Sequence, residues 1–447
     1  MNSFITGVDQ YLKSGLLPFY YFVVVVLAVL ILMKYHSLRL TLFIVLIFWE
    51  GLFAYLSISY SSIYYNFYKI IIVGLAFILF HNNFHNTDLK GAKKINIVFF
   101  LLSISYWISF LINNQPIITS LSQYGKKILL PYFFIYIIFS KNKTLQLQSR
   151  YFNLFRDILL VQIFLSFLKL LLFGFGESIV GSISFVGGGV AAIIPLLGLL
   201  LFYSKSNQKL TQNDWMFIWA LLVISLASNK RAPVFIMPLL IFGLHVYVKR
   251  TRNVISFIKY APIYMLLIYL GVRTNPSLNQ QGSRWGGFDL NYVIQYARDY
   301  TFGNEKIRYQ NEDIGYGRGG ALITIFSKNV YRVPTENIIF GHGITEILKS
   351  YDEFDSSKYK LVGKSALSGA YAKIVSLGIL GLLLHIIFGI YLISEINDLR
   401  LRIVLLVLFL WDLLFYSGVM LGNTVMYVFT IYYIRLTTLI ELRNRMS

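Results

Sequence analysis

LPFYYFVVVVLAVLILM, Leu17–Met33, carries no charge and, wound as a helix, is close to the thickness of a bilayer's hydrocarbon core. Similar runs follow at Leu38–Ser59, Ile63–Phe80, Ile95–Leu111, Ile128–Ser140, Ile158–Phe173, Phe185–Tyr203, Trp215–Ala227, Pro233–Val248, Val254–Gly271, Ala370–Ser394, Ile403–Tyr416 and Val419–Ile434. The pattern predicts an all-α, polytopic transmembrane helix bundle of about 12–13 spans. Hydrophobic residues are 57% and charged residues 13% of the 447, against roughly 45–50% and 25% in soluble domains, which excludes an ordinary soluble fold. The polar start, MNSFITGVDQYLKSG, lacks the basic n-region and cleavage site of a secretory signal, so the first run is expected to be a retained span.

One polar stretch interrupts the runs, from Arg273 to Lys364. It divides the chain into residues 1–272, an N-terminal membrane bundle; 273–364, a large external loop; and 365–447, C-terminal membrane helices. A lopsided polar domain suits an enzyme acting at one membrane face better than a transporter.

The net charge of +20 would point to nucleic acid in a soluble protein. Here its placement speaks for topology instead, and no nucleic-acid partner is expected. If the spans alternate sides, KYHSLR, HNNFHNTDLKGAKK, KNKTLQLQSRYFNLFR, SKSNQKLTQND, KRTRN, EINDLRLR and ELRNRMS share one face and, with Arg435, hold 19 of the 40 basic residues. Positive-inside bias makes that face cytoplasmic and the insertion external. The insertion holds 12 basic and 10 acidic residues, the balance of a folded cap rather than a polybasic tail. Within it DLNYVIQYARDY spaces Leu290, Val293, Ile294 and Ala297 as one face of a helix, and ALITIFSKNV and ITEILKSY read as two more short helices.

With no cysteine, thiolate chemistry and Cys-ligated metals are excluded. Basic residues on the external face run against the topological bias. Lys230 and Arg231, in SLASNKRAPVF, sit in a short external turn, either snorkelling to the interface or forming an anion site with Arg231 forked onto phosphate oxygens. Arg318 stands among glycines in GYGRGGALITIF, where backbone N–H groups entering a helix can meet phosphate. Lys126 and Lys127, in SQYGKKILLP, fall at an outer span end, and Lys373 a turn or two inside the span after the insertion, where an ammonium needs phosphate or a carboxylate partner. His342, the insertion's one histidine, can accept a proton or hold a GHG turn; Glu312 and Asp313 are further base candidates. Glu50, Lys69 and Asp412 lie deeper in spans, as interhelical pairs or a transport path. Trp285, Tyr292, Tyr296, Tyr300, Tyr309 and Tyr316 can stack on sugar rings or pack the cap.

The order of these features resembles the O-antigen polymerase and ligase superfamily, most of all its Wzy-type polysaccharide polymerases. The resemblance covers about Ser228 to Leu384: an S-x-x-R segment (Ser228 to Arg231), an external loop with GRGGALITIF, ENIIFGHG with its Gly341 and Gly343, and SALSGAYAKIVSLGILGLLL running into the next span. It implies transfer of a glycan from undecaprenyl diphosphate to a sugar hydroxyl on another such chain, at the outer face of a bacterial inner membrane. No metal or cofactor is implied, and a chain-length regulator is the implied protein partner. Arg231 and Arg318 would then hold the pyrophosphate and stabilise charge on the leaving group. Lys230, Lys126, Lys127, Lys373 and Ser368 are the substrate-binding candidates, and His342 a catalytic one. Ligases of this superfamily carry a histidine where this chain reads Lys364, Ser365, Ala366, Leu367, Ser368, which favours a polymerase over a ligase. A flippase or exporter of lipid-linked sugar is the reading from another class.

Overall fold

The computed structural model describes residues 15–436 apart from 62, 85–86, 141–144, 177–178, 186–192, 205–210, 229–230, 250–253, 303–306, 310–311, 316–333, 344–367, 398, 416–424 and 429. These residues are helical except for short connections and one antiparallel hairpin, β1 (Ile307–Tyr309) with β2 (Glu312–Gly315), inside the polar insertion. The helices are α1 (Leu16–Lys34), α2 (Thr41–Phe48), α3 (Glu50–Ser59), α4 (Ile63–His81), α5 (Ala92–Ile112), α6 (Ile117–Tyr124), α7 (Leu130–Ile138), α8 (Leu145–Phe173), α9 (Ile193–Ser204), α10 (Gln212–Ala227), α11 (Arg231–Lys249), α12 (Val254–Thr274), α13 (Leu290–Phe302), α14 (Thr335–Phe340), α15 (Gly369–Ser394), α16 (Leu399–Phe415) and α17 (Val425–Leu436).

Among the described residues α1, α4, α5 and α15 are long and apolar enough to cross a membrane, and the α2–α3 pair, bent by 53°, makes a fifth candidate. The run Leu38–Ser59 is therefore two helices. The bend falls at Trp49 (φ −100°, ψ 18°), just before Gly51, whose backbone N–H leaves the helix ladder to donate to the Ser182 carbonyl at 2.9 Å; the Trp49 indole N–H donates to the Val24 carbonyl at 2.8 Å.

The chain forms two compact units, each assembled from separate segments: residues 1–68 with 144–292, and 69–143 with 293–447. The division runs through the polar insertion, leaving 273–292 with the first unit and 293–364 with the second.

In the first unit, Gln162 of α8 receives the Ser182 backbone N–H at 2.8 Å and donates to the Ser182 hydroxyl, which donates in turn to the Phe48 carbonyl. This buried network seats the loop after α8 on the end of α2, and it satisfies backbone groups that lipid would leave unpaired. Asp157, just before the apolar run 158–173, accepts from Lys34 and Tyr35 at 2.6 Å each and from Arg156. Burial alone would raise the Asp157 carboxyl, but those hydrogen bonds outweigh it and hold it below the usual carboxylate range, while burial and the same contact push the Tyr35 phenol up. KYHSLR and the segment ending at Arg156, expected on one face, thus meet in the structure.

In the second unit α5 is the spine. Glu395, just past α15, accepts from the backbone N–H groups of Gly91 at 2.9 Å and Lys90 at 3.3 Å, capping the start of α5. At the other end of α5, the Ser109 hydroxyl donates to the Ser376 carbonyl at 3.1 Å, so α15 runs antiparallel to α5 from residue 376 onward. Arg435 pairs with Asp88 at 2.6 Å. Segments 81–94 and 395–402 and residue 435, assigned to one face by charge, therefore cluster at one end of this unit, and the insertion's Gly341 and His342 lie at the other. Small residues set the helix spacing: a methyl on Gly389 of α15 would come within 2.6 Å of the Phe409 ring of α16.

The helix expected in DLNYVIQYARDY is present as α13, but its buried face differs from the expected one. Val293 and Tyr296 are buried while Leu290, Ile294 and Ala297 are exposed. Aromatic bodies cover more area than the aliphatics, so the stripe through Val293 and Tyr296 wins the packing contest.

Candidate functional site

The chemistry-bearing residues that the structure brings together lie in the second unit, around a break in α15. At Gly378 the backbone takes φ 69° and ψ −172°, inside what is otherwise one run of helix. That conformation is open to glycine and strained for any other residue. The two arms fold so tightly that a methyl on Gly381 would overlap the Leu377 side chain, whereas side chains four apart on a straight helix stand about 5–6 Å apart.

Breaking a helix frees carbonyls, and those of Val375 and Ser376 find partners across the joint. The GHG turn, Gly341 (φ 77°) to Gly343 (φ 90°), lies against the break: the His342 N–H donates to the Val375 carbonyl at 2.7 Å and the Gly343 N–H to Ser376 at 3.1 Å. Asn113 donates to the Gly341 carbonyl at 3.0 Å, Gln115 to that of His342 at 3.0 Å, and Asn337 of α14 to Asn113 at 2.9 Å. Methyl groups on Gly343 and Gly378 would overlap the Gln115 amide and the Ile339 carbonyl, and one on Gly341 would come within 2.5 Å of the backbone at 376–378. The two glycine motifs, GHG and SLGILG, are thus one packing joint. His342 serves it through its backbone, and its ring is half-buried beside it.

The break also makes a contact that no straight helix allows. Lys373 and His385 are twelve residues apart, about 18 Å along an unbroken helix, yet Lys373 Nζ stands 2.9 Å from His385 Nε2. His385 Nδ1 lies 2.7 Å from the Gly381 carbonyl, an obligate acceptor, so Nδ1 carries the proton and Nε2 accepts from the ammonium.

Lys127 joins this pair from another element. Residues 117–138 are helical throughout, with a π-helical turn at Gly125–Leu129 between α6 and α7. Lys126 and Lys127 therefore stand in the middle of a helical stretch, about 15 Å from its start. A π turn widens the helix by a residue and re-aims side chains, a device concentrated at functional sites. Lys127 and His385 line the same cavity, which brings Lys127 beside the Lys373–His385 pair. Among the described residues Lys127 has no hydrogen bond and no counter-ion, and Lys373 pairs with His385, not with the carboxylate that was its expected alternative.

Lys127 and His385 border a small cavity of ≈ 20 Å³, about the room of one water, lined also by Phe99, Leu102, Ile128, Pro131, Phe388 and Tyr427. The Tyr427 hydroxyl is buried there without a partner among the described residues, its ring stacked on Phe388 at 6.3 Å.

Ser368 is fully buried and caps α15, its hydroxyl accepting from the Tyr371 N–H at 3.2 Å. Arg231 opens α11 in the first unit and is half-buried there. Lys230, Arg318 and Tyr316 lie outside the described residues. Glu50 accepts from Tyr65 at 2.5 Å, which matches an interhelical pair. Trp285 is 65% exposed at φ 60°, on a loop fastened by Arg273, which donates to the Gly286 and Trp285 carbonyls. Groups of three or more His, Asp or Glu side chains able to hold a metal are absent among the described residues.

His385 is the site residue that sequence reasoning missed. A single histidine in GLLLHIIFG reads as a core residue. The available signal was a second titratable side chain, Lys373, in the same apolar run, with the glycines that allow a fold-back between them.

No family model, curated protein or solved structure matches this chain.

Proposed function

We propose that this chain is a membrane enzyme that polymerises undecaprenyl-diphosphate-linked oligosaccharide units into a surface polysaccharide. Its apolar helices would form a bundle of about 12–13 spans in a bacterial inner membrane, with the insertion 273–364 outside. The observation that carries the reading is the gathering of Lys127, His385 and Lys373 within apolar helices, Lys127 and His385 lining one cavity and Lys373 Nζ standing 2.9 Å from His385 Nε2, with no acidic partner for either lysine among the described residues. Charging basic groups gathered in a low-dielectric layer costs several kcal/mol unless an anion compensates them. A diphosphate is such an anion. It is also the leaving group of the proposed reaction, in which the acceptor oxygen bonds to the anomeric carbon as the carbon–oxygen bond to diphosphate breaks. Charge grows on the diphosphate at that moment, and fixed cations stabilise it. Arg231, Arg318, Lys230 and Lys126 extend this reading by resemblance. The general base is not assigned, and a chain-length regulator remains the proposed partner.

The test is purified protein with an undecaprenyl-diphosphate-linked repeat unit from its own host, products resolved on a gel. A ladder that needs no nucleotide and disappears in Lys373→Met and Arg231→Ala supports the polymerase. Absence of any ladder, with movement of the substrate across a vesicle membrane, replaces the enzyme with a transporter. Single addition to a lipid A core acceptor would make it a ligase.

A further inference from the structure

Resting on the membrane reading but not on the enzyme, we infer that the loop between α12 and α13, residues 275–289, is a lipid anchor. It seats Trp285 and Phe288 in the boundary between headgroups and acyl chains on the bilayer's outer side.

The loop is a rigid mount. The Gly286 N–H donates to the Arg273 carbonyl at 3.1 Å, and Arg273 Nε donates back to the Gly286 carbonyl at 2.9 Å. Asn279, fully buried, donates to the carbonyls of Asn275 at 3.0 Å and Ser283 at 2.8 Å. These bonds hold Trp285 at φ 60°, a conformation that costs energy for a bulky residue, and leave it 65% exposed. An exposed indole fixed on strained backbone adds nothing to packing within the chain; it is presented to a partner outside it.

What the loop presents decides that partner. Its longer polar side chains are engaged within it: Gln281 accepts from the Gly287 N–H at 2.6 Å, Gln280 donates to Asp289 at 2.6 Å, and Asp289 accepts from the Asn291 N–H at the start of α13. The outward set is Trp285, Phe288 and Leu290, with Phe175 of the first unit beside them and one cation, Arg284, whose guanidinium lies 4.1 Å from the Phe175 ring centroid. A sugar stacked on the indole would need several donors and acceptors around it, and this set supplies a single guanidinium. A lipid boundary fits both parts: apolar bodies enter the acyl region, while the guanidinium and the indole N–H, which has no acceptor among the described residues, reach headgroup oxygens.

The loop also continues two surfaces that face lipid in this reading. Leu266, Tyr269 and Arg273 follow one another on one stripe of α12 over about 10 Å, the first two exposed. The Phe288 ring packs on Tyr269 at 5.1 Å, and Arg273 donates to the Trp285 carbonyl, so the stripe runs on into the loop. On the other side the Arg284–Phe175 contact ties the loop to the end of α8, where Leu171 is 82% exposed. α8 begins in KNKTLQLQSRYFNLFR and α12 follows KRTRN, both on the basic face, so both helices end on the external side. Residues 275–289 are then a membrane-seated part of the insertion, distinct from an aqueous cap.

The chain has no cysteine, so a spin label on one introduced cysteine reports one position. Trp285→Cys and Phe288→Cys are compared with Leu266→Cys as the lipid reference and Ser37→Cys as the water reference. Each full chain is placed in vesicles of phosphatidylethanolamine and phosphatidylglycerol. Labels at 285 and 288 are expected to match the label at 266, colliding more with oxygen, which partitions into lipid, than with a water-soluble nickel chelate. A match to the label at 37 puts the loop in water and overturns the anchor. Shielding from both reagents marks a protein contact, and shielding only when the glycan repeat unit is added marks a sugar platform; either overturns it too. A second measurement keeps the loop's aromatic body intact: the emission of the native chain minus that of Trp285→Phe, which isolates Trp285, is expected to be lost in vesicles with brominated acyl chains. An undiminished difference overturns the anchor. The anchor's own signals need no glycan, so the polymerase reading can fail while the anchor stands, and the reverse.

Discussion

Gly378→Ala is the sharpest test of the joint between α15 and the GHG turn. At φ 69° an alanine carries about 1–3 kcal/mol of backbone strain. Its methyl would also overlap the Ile339 carbonyl, so α14 and the turn must retreat. That retreat lengthens the bonds from His342 N–H to Val375 and from Gly343 N–H to Ser376, each worth about 1 kcal/mol. Together the loss is about 3–5 kcal/mol. The assay is unfolding in mixed micelles followed by tryptophan fluorescence, with Gly74→Ala as the companion. Gly74 sits in helix α4 with nothing within 4 Å of a built Cβ, so alanine there is expected to be neutral or stabilising by up to about 1 kcal/mol. A Gly378→Ala variant no less stable than Gly74→Ala would refute the account of the joint.

Two further outcomes follow from the geometry. The chain has no cysteine, so Asn113→Cys with Asn337→Cys gives a clean pair, and a short thiol-bridging reagent is expected to join α14 to the end of α5 in the double variant, read as a closed loop on a gel after proteolysis between them. Asp157, whose carboxyl is held below its unfolded value by Lys34, Tyr35 and Arg156, contributes stability that is present above about pH 4 and lost as pH falls through its lower folded value; stability curves of the native chain and Asp157→Asn are therefore expected to converge in acid and differ at neutral pH, and parallel curves would contradict this.

Spans such as Leu17–Met33 were legible because lipid on several sides demands apolar residues all round. The helix Ile117–Tyr124 was not. IITSLSQY is polar because it packs on protein: Ser120 and Gln123 are buried, and the Ser120 carbonyl accepts from the Tyr106 hydroxyl at 2.6 Å. A hydropathy scan counts such a face as loop. The same blindness hid the bend at Trp49, since the Gly51 N–H donating to the Ser182 carbonyl, far along the chain, leaves no local signature. Charge placement was the more faithful guide, because it responds to the two sides of the layer and not to the packing within it. Lys34 with Asp157, and Lys90 with Glu395 and Asn397, each join segments assigned to one face.

The joint changes how the glycine motifs should be weighed. Glycines in a loop between two polar elements invite a catalytic reading, and GHG with its histidine drew one. In the structure Gly341 and Gly343 bring backbone to backbone across the break in α15, and that break sets Lys373 on His385. Substitutions at Gly341, Gly343 or Gly378 are therefore expected to abolish the proposed polymerase activity by moving Lys373, whatever His342 does. A lesion at His342 separates the two roles: the bonds that hold the turn come from its backbone, so His342→Ala leaves them in place. Retained activity in that variant, beside lost activity in Gly343→Ala, would assign the turn to bracing and leave the proton acceptor to be sought nearer the cations.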